Sequence, residues 1–270
     1  MRQEEERMRL SFMTFACPEY RLAELLVAAR RYGYDGVEPR VLAQHKHGIE
    51  PDMPPRARAE AKRAFKDSGI EIACIATSCT FATNDPAKRK TNRDELTREL
   101  QLAADLGAPR IRVFGGRRSE GLSLDDAIGI VAEDILSGAD FAARHGIAIC
   151  LETHDDFSLG KSVGRVIAKA NHAAVRANWD LQHPFNAGEP LDETVRCLSG
   201  KIAHVHCHDN KDRKAALPGD GNLPMLDQLR ALKAEGFAGY LSAELWTEIG
   251  APEYILEQYI QRMKKLLSAL

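Results

Sequence analysis

Short apolar runs rich in valine and isoleucine recur along the chain, and amphipathic stretches of helical length separate them. Eight runs read as strands: residues 9–15, 35–39, 70–77, 109–114, 147–153, 174–181, 201–208 and 239–245. Helical patterns over 19–32, 55–68, 86–106, 123–145, 158–170, 191–199, 223–235 and 252–268 follow them in turn. Strands alternating with helices predict βαβ units and a parallel sheet. Gly33, Gly69, Gly107, Gly146 and Gly236 stand just past helix ends, where a left-handed cap residue is expected. The phrases RYGYDGVE, DSGIEIAC, DLGAPRIR, RHGIAICLE and AEGFAGYLSAE share this helix–glycine–strand form. Eight such units in 270 residues predict a single (β/α)8 TIM barrel, a fold that takes about 250 residues. A doubly wound open sheet would need fewer strands, and no GxGxxG follows the first strand to support it. One barrel domain is expected over 9–270, with residues 1–8 as a charged extension.

Composition narrows the function classes. The formal net charge of −2 leaves no electrostatic footprint for nucleic acid or an anionic membrane surface. No apolar run approaches the ~20 residues of a membrane span, and the charged start MRQEEERM lacks the apolar core of a signal peptide. Cys17, Cys74, Cys79, Cys150, Cys197 and Cys207 are scattered without a CxxC pair, and read as reduced core residues of a cytoplasmic protein.

In a TIM barrel the active site lies at the C-terminal ends of the strands. Strand five ends in Glu152, strand six in Asp180, strand seven near His206 and strand eight in Glu244. Rim residues salt-bridged to arginines are the bland alternative. However, Glu152 and Glu244 sit directly inside apolar runs, where a carboxylate is desolvated unless paired or metal-bound. Three carboxylates and one imidazole make an oxygen-rich donor set that suits Mn²⁺ first, with Mg²⁺, Co²⁺ or Zn²⁺ also able to bind.

The motifs YDGVE, IRVFGG, LETH, NWDLQH, HVHCHD, GDGNLPM and LSAELW, in this order and spacing, resemble the xylose isomerase-like TIM barrel superfamily over about residues 9–268. That superfamily includes sugar phosphate isomerases and epimerases, inosose isomerase and dehydratase, ketose 3-epimerases and, more distantly, endonuclease IV. The resemblance implies that Glu152, Asp180, His206 and Glu244 ligate one divalent metal, and that His183 contacts substrate or metal. The chain also departs from its relatives. Strand three ends in Thr77 and Ser78 and strand four in Phe114-Gly115-Gly116, and no Asp-x-His follows strand seven. The extra histidines of endonuclease IV are therefore missing, which argues against a three-metal DNA-repair site. The ketose 3-epimerases carry a glutamate six residues after the strand-five Glu; here that position is Ser158.

Further candidates surround the quartet. Glu38 is expected to bind substrate hydroxyls or to pair with Arg40. His154 and His208 adjoin the ligands on the rim, as substrate contacts or supports. Arg112 points into the barrel, toward substrate or an ion pair with Glu38 or Glu152. Lys211 and Arg213 stand where relatives place a basic substrate contact. His45 and His47 belong to a long loop, as surface or lid. His204 reads as a satisfied core histidine, Gly115 and Gly116 as a tight turn, and Asp220 as a loop turn. The expected function is a divalent-metal-dependent isomerase or epimerase of a sugar, keto-sugar or inosose-like polyol, working through an enediolate with Glu152 and Glu244 moving the proton. A dehydratase or lyase on an inosose or keto-sugar is the second reading, and a non-catalytic sugar-binding barrel the third. The expected partner is a small carbohydrate, with neither nucleic acid nor membrane; nothing in the sequence excludes a homo-oligomer.

Overall fold

The computed structural model describes residues 7–212 and 214–270; Arg213 and most of the expected N-terminal extension lie outside them. The elements run β1 (Arg9–Met13), α1 (Leu22–Tyr32), β2 (Gly36–Glu38), α2 (Pro55–Ser68), β3 (Glu71–Ile72), β4 (Ile75–Thr80), α3 (Pro86–Leu106) and β5 (Arg110–Phe114). They continue with α4 (Leu124–Arg144), β6 (Ala148–Glu152), α5 (Gly160–Ala170), β7 (Val175–Asp180), α6 (Gln182–Asn186) and α7 (Leu191–Leu198). The last are β8 (Ile202–Cys207), β9 (Asp209–Lys211), β10 (Lys214–Ala216), α8 (Met225–Ala234), β11 (Tyr240–Ala243) and α9 (Pro252–Leu267). The main sheet is ordered β3-β2-β1-β11-β8-β7-β6-β5-β4 with parallel pairings throughout, so the expected TIM barrel is the observed fold.

The third barrel strand, expected as one run over 70–77, is broken at Ala73 and Cys74 and extends to Thr80. Its first half, β3, pairs with β2, while its second half, β4, pairs with β5. A parallel bridge between Arg40 and Ala76 spans the seam, through Val41 N–H to the Ala76 carbonyl at 3.0 Å and Ala76 N–H to the Pro39 carbonyl at 2.9 Å. The remaining strands coincide with the expected ones within two residues at either end.

The helices follow from local chemistry. Asp85 caps α3 by accepting from the Ala87 and Lys88 amides, and Pro86 occupies the first helical position. Ser123 caps α4 through the Asp126 amide. The five helix-end glycines all hold a left-handed backbone, with φ between 66° and 78°. The apolar core lies between barrel and helices, with Ile111, Val113, Ile149, Leu151, Ala177, Trp179, Val205 and Leu241 essentially fully buried. The barrel strands also bury polar residues: Ser11, Glu38, Arg112, Asn178, His204 and Ser242.

Two elements shape the mouth. Gly115, directly after β5, lies against the Phe157 ring, where an added Cβ would stand only 2.2 Å from a ring carbon. After β8 the chain forms a hairpin, β9–β10. Buried Asp209 anchors this segment by accepting from the amides of Asn210 at 2.8 Å, Gly219 and Gly221 at 3.0 Å and Leu223 at 3.1 Å. Gly221 is required, since a Cβ there would meet Asp209 Oδ1 at 2.1 Å. Asp209→Ala leaves these amides unpaired, at a cost of about 2 kcal/mol or more. Hydrogen exchange should then quicken at residues 210, 219, 221 and 223 while the β5–β8 amides stay protected; unchanged exchange would show that the carboxylate is not the anchor.

Candidate metal centre and substrate mouth

Glu152 closes β6, Asp180 closes β7, His206 is the penultimate residue of β8, and Glu244 follows β11 directly. The parallel register sets Asp180 and Ser242 beside His206, and Phe114 beside Glu152. Each of Glu152, Asp180, His206 and Glu244 offers one ligand atom, all within 4.8 Å of one another, and all four side chains are buried. The four residues singled out from the strand ends are thus brought together as a possible metal site.

Each member is held by neighbours. Asp180 Oδ1 accepts from the Gln182 amide at 2.7 Å and the His183 amide at 3.1 Å, the first turn of α6. Its Oδ2 lies 2.8 Å from His208 Nε2. Burial pushes the Asp180 carboxyl up, but His208, His183 and His206 outweigh this and hold it below the usual carboxylate range. Burial pulls His208 down, yet Asp180 raises it to about 8. Arg112, stacked over Phe114 at 4.0 Å, sets its Nε 3.1 Å from Glu152 Oε2.

Glu38 has a different setting from the one expected. It was expected to meet substrate or pair with Arg40. Instead it is fully buried, with Oε2 2.8 Å from His204 Nε2 and Oε1 3.0 Å from His206 Nε2. Burial raises its carboxyl, but the two imidazoles outweigh that and hold it well below the ordinary value. A carboxylate behind a ligating histidine fixes the ring and its tautomer. Here it leaves His206 Nδ1 facing Glu244 Oε2 at 3.2 Å and Glu152 Oε1 at 3.6 Å. Burial favours neutral His206, yet Glu38, Glu244 and Glu152 hold its pKa well above the usual imidazole value, so the centre attracts positive charge. Asn178 Nδ2 also touches the ring at 3.1 Å. His204 is a fully buried core histidine as expected, but only half satisfied: Nε2 meets Glu38 while Nδ1 is buried without a hydrogen-bond partner.

The other candidates divide. His154 and His183 stand on the rim, half-exposed, with ring centroids 4.4 Å apart, and each offers a ligand atom near Glu152. His47 is buried, with its ring nitrogens on the Arg40 carbonyl and the Ile49 amide, which makes it a brace of its loop and not a lid residue. His45 contacts Thr14 Oγ1 at 2.8 Å. Lys211 is exposed on β9, and Arg213 lies outside the described residues. Asp220 pairs with Arg262 at 2.6 Å, consistent with a turn.

Sequence reasoning missed the aromatic wall. Phe15 stacks on Trp246 at 5.6 Å, Trp246 meets His208 edge-on at 5.6 Å, and the Arg40 guanidinium lies 5.9 Å from the Phe15 centroid. Phe15 stands two residues past the end of β1 and Trp246 three past the end of β11, just beyond the level of the ligands.

Comparison with known proteins agrees with this architecture. The family model for the xylose isomerase-like TIM barrel matches residues 26–266. The putative hydroxypyruvate isomerase of Streptomyces coelicolor is 24% identical over 220 residues, covering 73% of this chain and 77% of its own. The structure of L-ribulose 3-epimerase superposes with a TM-score of 0.81 at 18% identity, covering 97% of this chain and 95% of that one. The IOLI protein, solved with a bound zinc atom, gives 0.79 at 21% identity and covers 97% of each chain. Its fold, and a family match spanning most of its length, place this chain in the xylose isomerase-like TIM barrel family.

Proposed function

We propose that the protein is a divalent-metal-dependent isomerase or epimerase of a sugar, keto-sugar or inosose-like polyol. The convergence of three buried carboxylates on one carboxylate-backed imidazole carries this reading. Isomerase and epimerase are also the activities named for two of the relatives compared.

The donors fit a divalent cation. Both Glu152 oxygens are buried and neither makes a hydrogen bond. Arg112 pairs with one of them at 3.1 Å, but a buried carboxylate without hydrogen bonds still carries a desolvation cost that a doubly charged ion offsets. Glu152, Asp180, His206 and Glu244 would hold the ion, with Mn²⁺ the best match to three oxygens and one nitrogen, and Zn²⁺, Co²⁺ or Mg²⁺ usable. When bound, the ion would supply Lewis-acid polarisation of a substrate carbonyl and offset the charge of an enediolate.

The remaining work falls to this chain's own groups. Glu152 and Glu244 approach from different strands, so a substrate between them can lose a carbon-bound proton to one and regain it from the other, or from the same one. Arg112 fixes the position of Glu152 from below. His154, His183 and His208 line the rim where substrate hydroxyls need donors and acceptors. Phe15 and Trp246 give the sugar an apolar face and exclude water.

Two experiments test the reading. Mn²⁺-loaded protein, screened against ketoses, inososes and 3-keto sugars, should place deuterium from D₂O at the carbon next to the carbonyl. Where the proton is shuttled without exchange, substrate deuterated there should show a primary isotope effect. Strict NAD(P) dependence, or phosphodiester hydrolysis without carbon–hydrogen cleavage, would refute the reading. Separately, Glu152→Gln and Glu244→Gln should each lower kcat by about 10²-fold or more. Denaturant unfolding of the metal-free variants should distinguish them, since only Glu152→Gln strips buried Arg112 of its carboxylate and destabilises by about 3 kcal/mol. Unfolding with residual activity in either variant would make these residues structural.

A further inference from the structure

We propose that Arg40 docks an oxyanion, a carboxylate or a phosphate, at the end of the substrate remote from the carbonyl, so that the preferred substrates are acidic. The proposal rests on the isomerase reading of the same site and names its substrate class.

Arg40 stands two residues past Glu38, at the seam between β2 and β4. A guanidinium has five N–H donors. Nη1 gives to the carbonyls of Val41 and of Ala76, the latter at 3.3 Å, and Nη2 gives to Ser78 Oγ. All of these acceptors are neutral. Among the described residues Arg40 forms no ion pair with a carboxylate, and its Nε is buried without a hydrogen-bond partner. One N–H on Nε and one on Nη2 remain unspent. These nitrogens share an edge of the guanidinium, the fork that matches two oxygens of a carboxylate or phosphate.

The surroundings connect this edge to the metal centre. Arg40 lies over Phe15, Phe15 stacks on Trp246, Trp246 meets His208, and His208 holds Asp180. A small sugar lying along that aromatic wall would have its carbonyl end at the carboxylates and its far end at Arg40. Seam closure alone does not account for a full charge here, because the backbone already bridges the seam and neutral donors would serve the same carbonyls. Burial, with a smaller contribution from the charge of Arg112, lowers the Arg40 pKa to about 10, while Glu99, Glu244 and Glu152 act in the opposite direction. The backbone beyond is held in a strained form, with Leu42 and Gln44 at φ near +60°, as recognition loops often are.

The test is calorimetric titration of inorganic phosphate, glycolate and neutral erythritol into metal-loaded and metal-free protein. Wild type should bind both anions in either metal state. Arg40→Met should raise their Kd at least about tenfold, or 1.4 kcal/mol, and leave erythritol unchanged. The anion that loses more identifies the group recognised. Should Arg40→Met fail to fold, Ser78→Asp at an exposed position sets a carboxylate on the guanidinium and should weaken anion binding in the same direction. Anion affinity that survives either change, or that vanishes only when the metal is removed, would overturn the proposal. Intact Arg40-dependent binding with no turnover of any sugar would instead sink the isomerase reading alone.

Discussion

Negative charge taken out of water governs this barrel. Glu38, Glu152, Asp180 and Glu244 are buried or nearly so inside the strand ends, and Arg112 is the one arginine paired with any of them among the described residues. Carboxylates so placed are tolerable only where hydrogen bonds, imidazoles or a cation compensate. The polar lining of the barrel follows from that need. His204 and His206 share Glu38, Asn178 touches His206, two backbone amides and His208 hold Asp180, and Arg112 steadies Glu152. Beyond its ion pair with Arg112, Glu152 has no hydrogen bond on either oxygen. The proposed ion would bind there.

The fold supplies the geometry at little local cost. Successive strands deliver one side chain each to a common level, because the parallel register carries Asp180, His206 and Ser242 across neighbouring strands in step. The apolar half of each strand faces the helices and provides the rigid frame. Function is thereby divided into layers: a braced floor of Glu38, His204 and Arg112, a converging tier of carboxylates, and a rim of histidines and aromatics able to vary with substrate.

Much of this was legible in the sequence because the signals were local. Apolar runs, helical periodicity and glycines past helix ends report on neighbouring residues, and eight repetitions of one unit allow little besides a barrel. The quartet was legible for a similar reason, since strand ends fix where side chains point. Features that depend on distant partners were not. Glu38 looked like a substrate contact or a partner of Arg40, but its role is set by His204 and His206, more than 160 residues away. The break in the third strand depends on which neighbour each half pairs with, and apolar content alone cannot show it. Phe15 and Trp246 read as ordinary apolar residues because a search for titratable groups passes over aromatics on the rim. The hairpin after β8 was hidden in a polar stretch that resembles any loop until Asp209 is seen gathering amides from both of its ends.

The central claim is that these carboxylates and His206 form one cation site. Elemental analysis of protein purified without chelator, joined to X-ray absorption at the edge of whatever metal is found, tests it most directly. The account predicts close to one equivalent of a divalent metal per chain, in an oxygen-rich shell containing a single imidazole, and its loss in Asp180→Ala. Full turnover by metal-free protein, a shell of several imidazoles, or three equivalents per chain would contradict it.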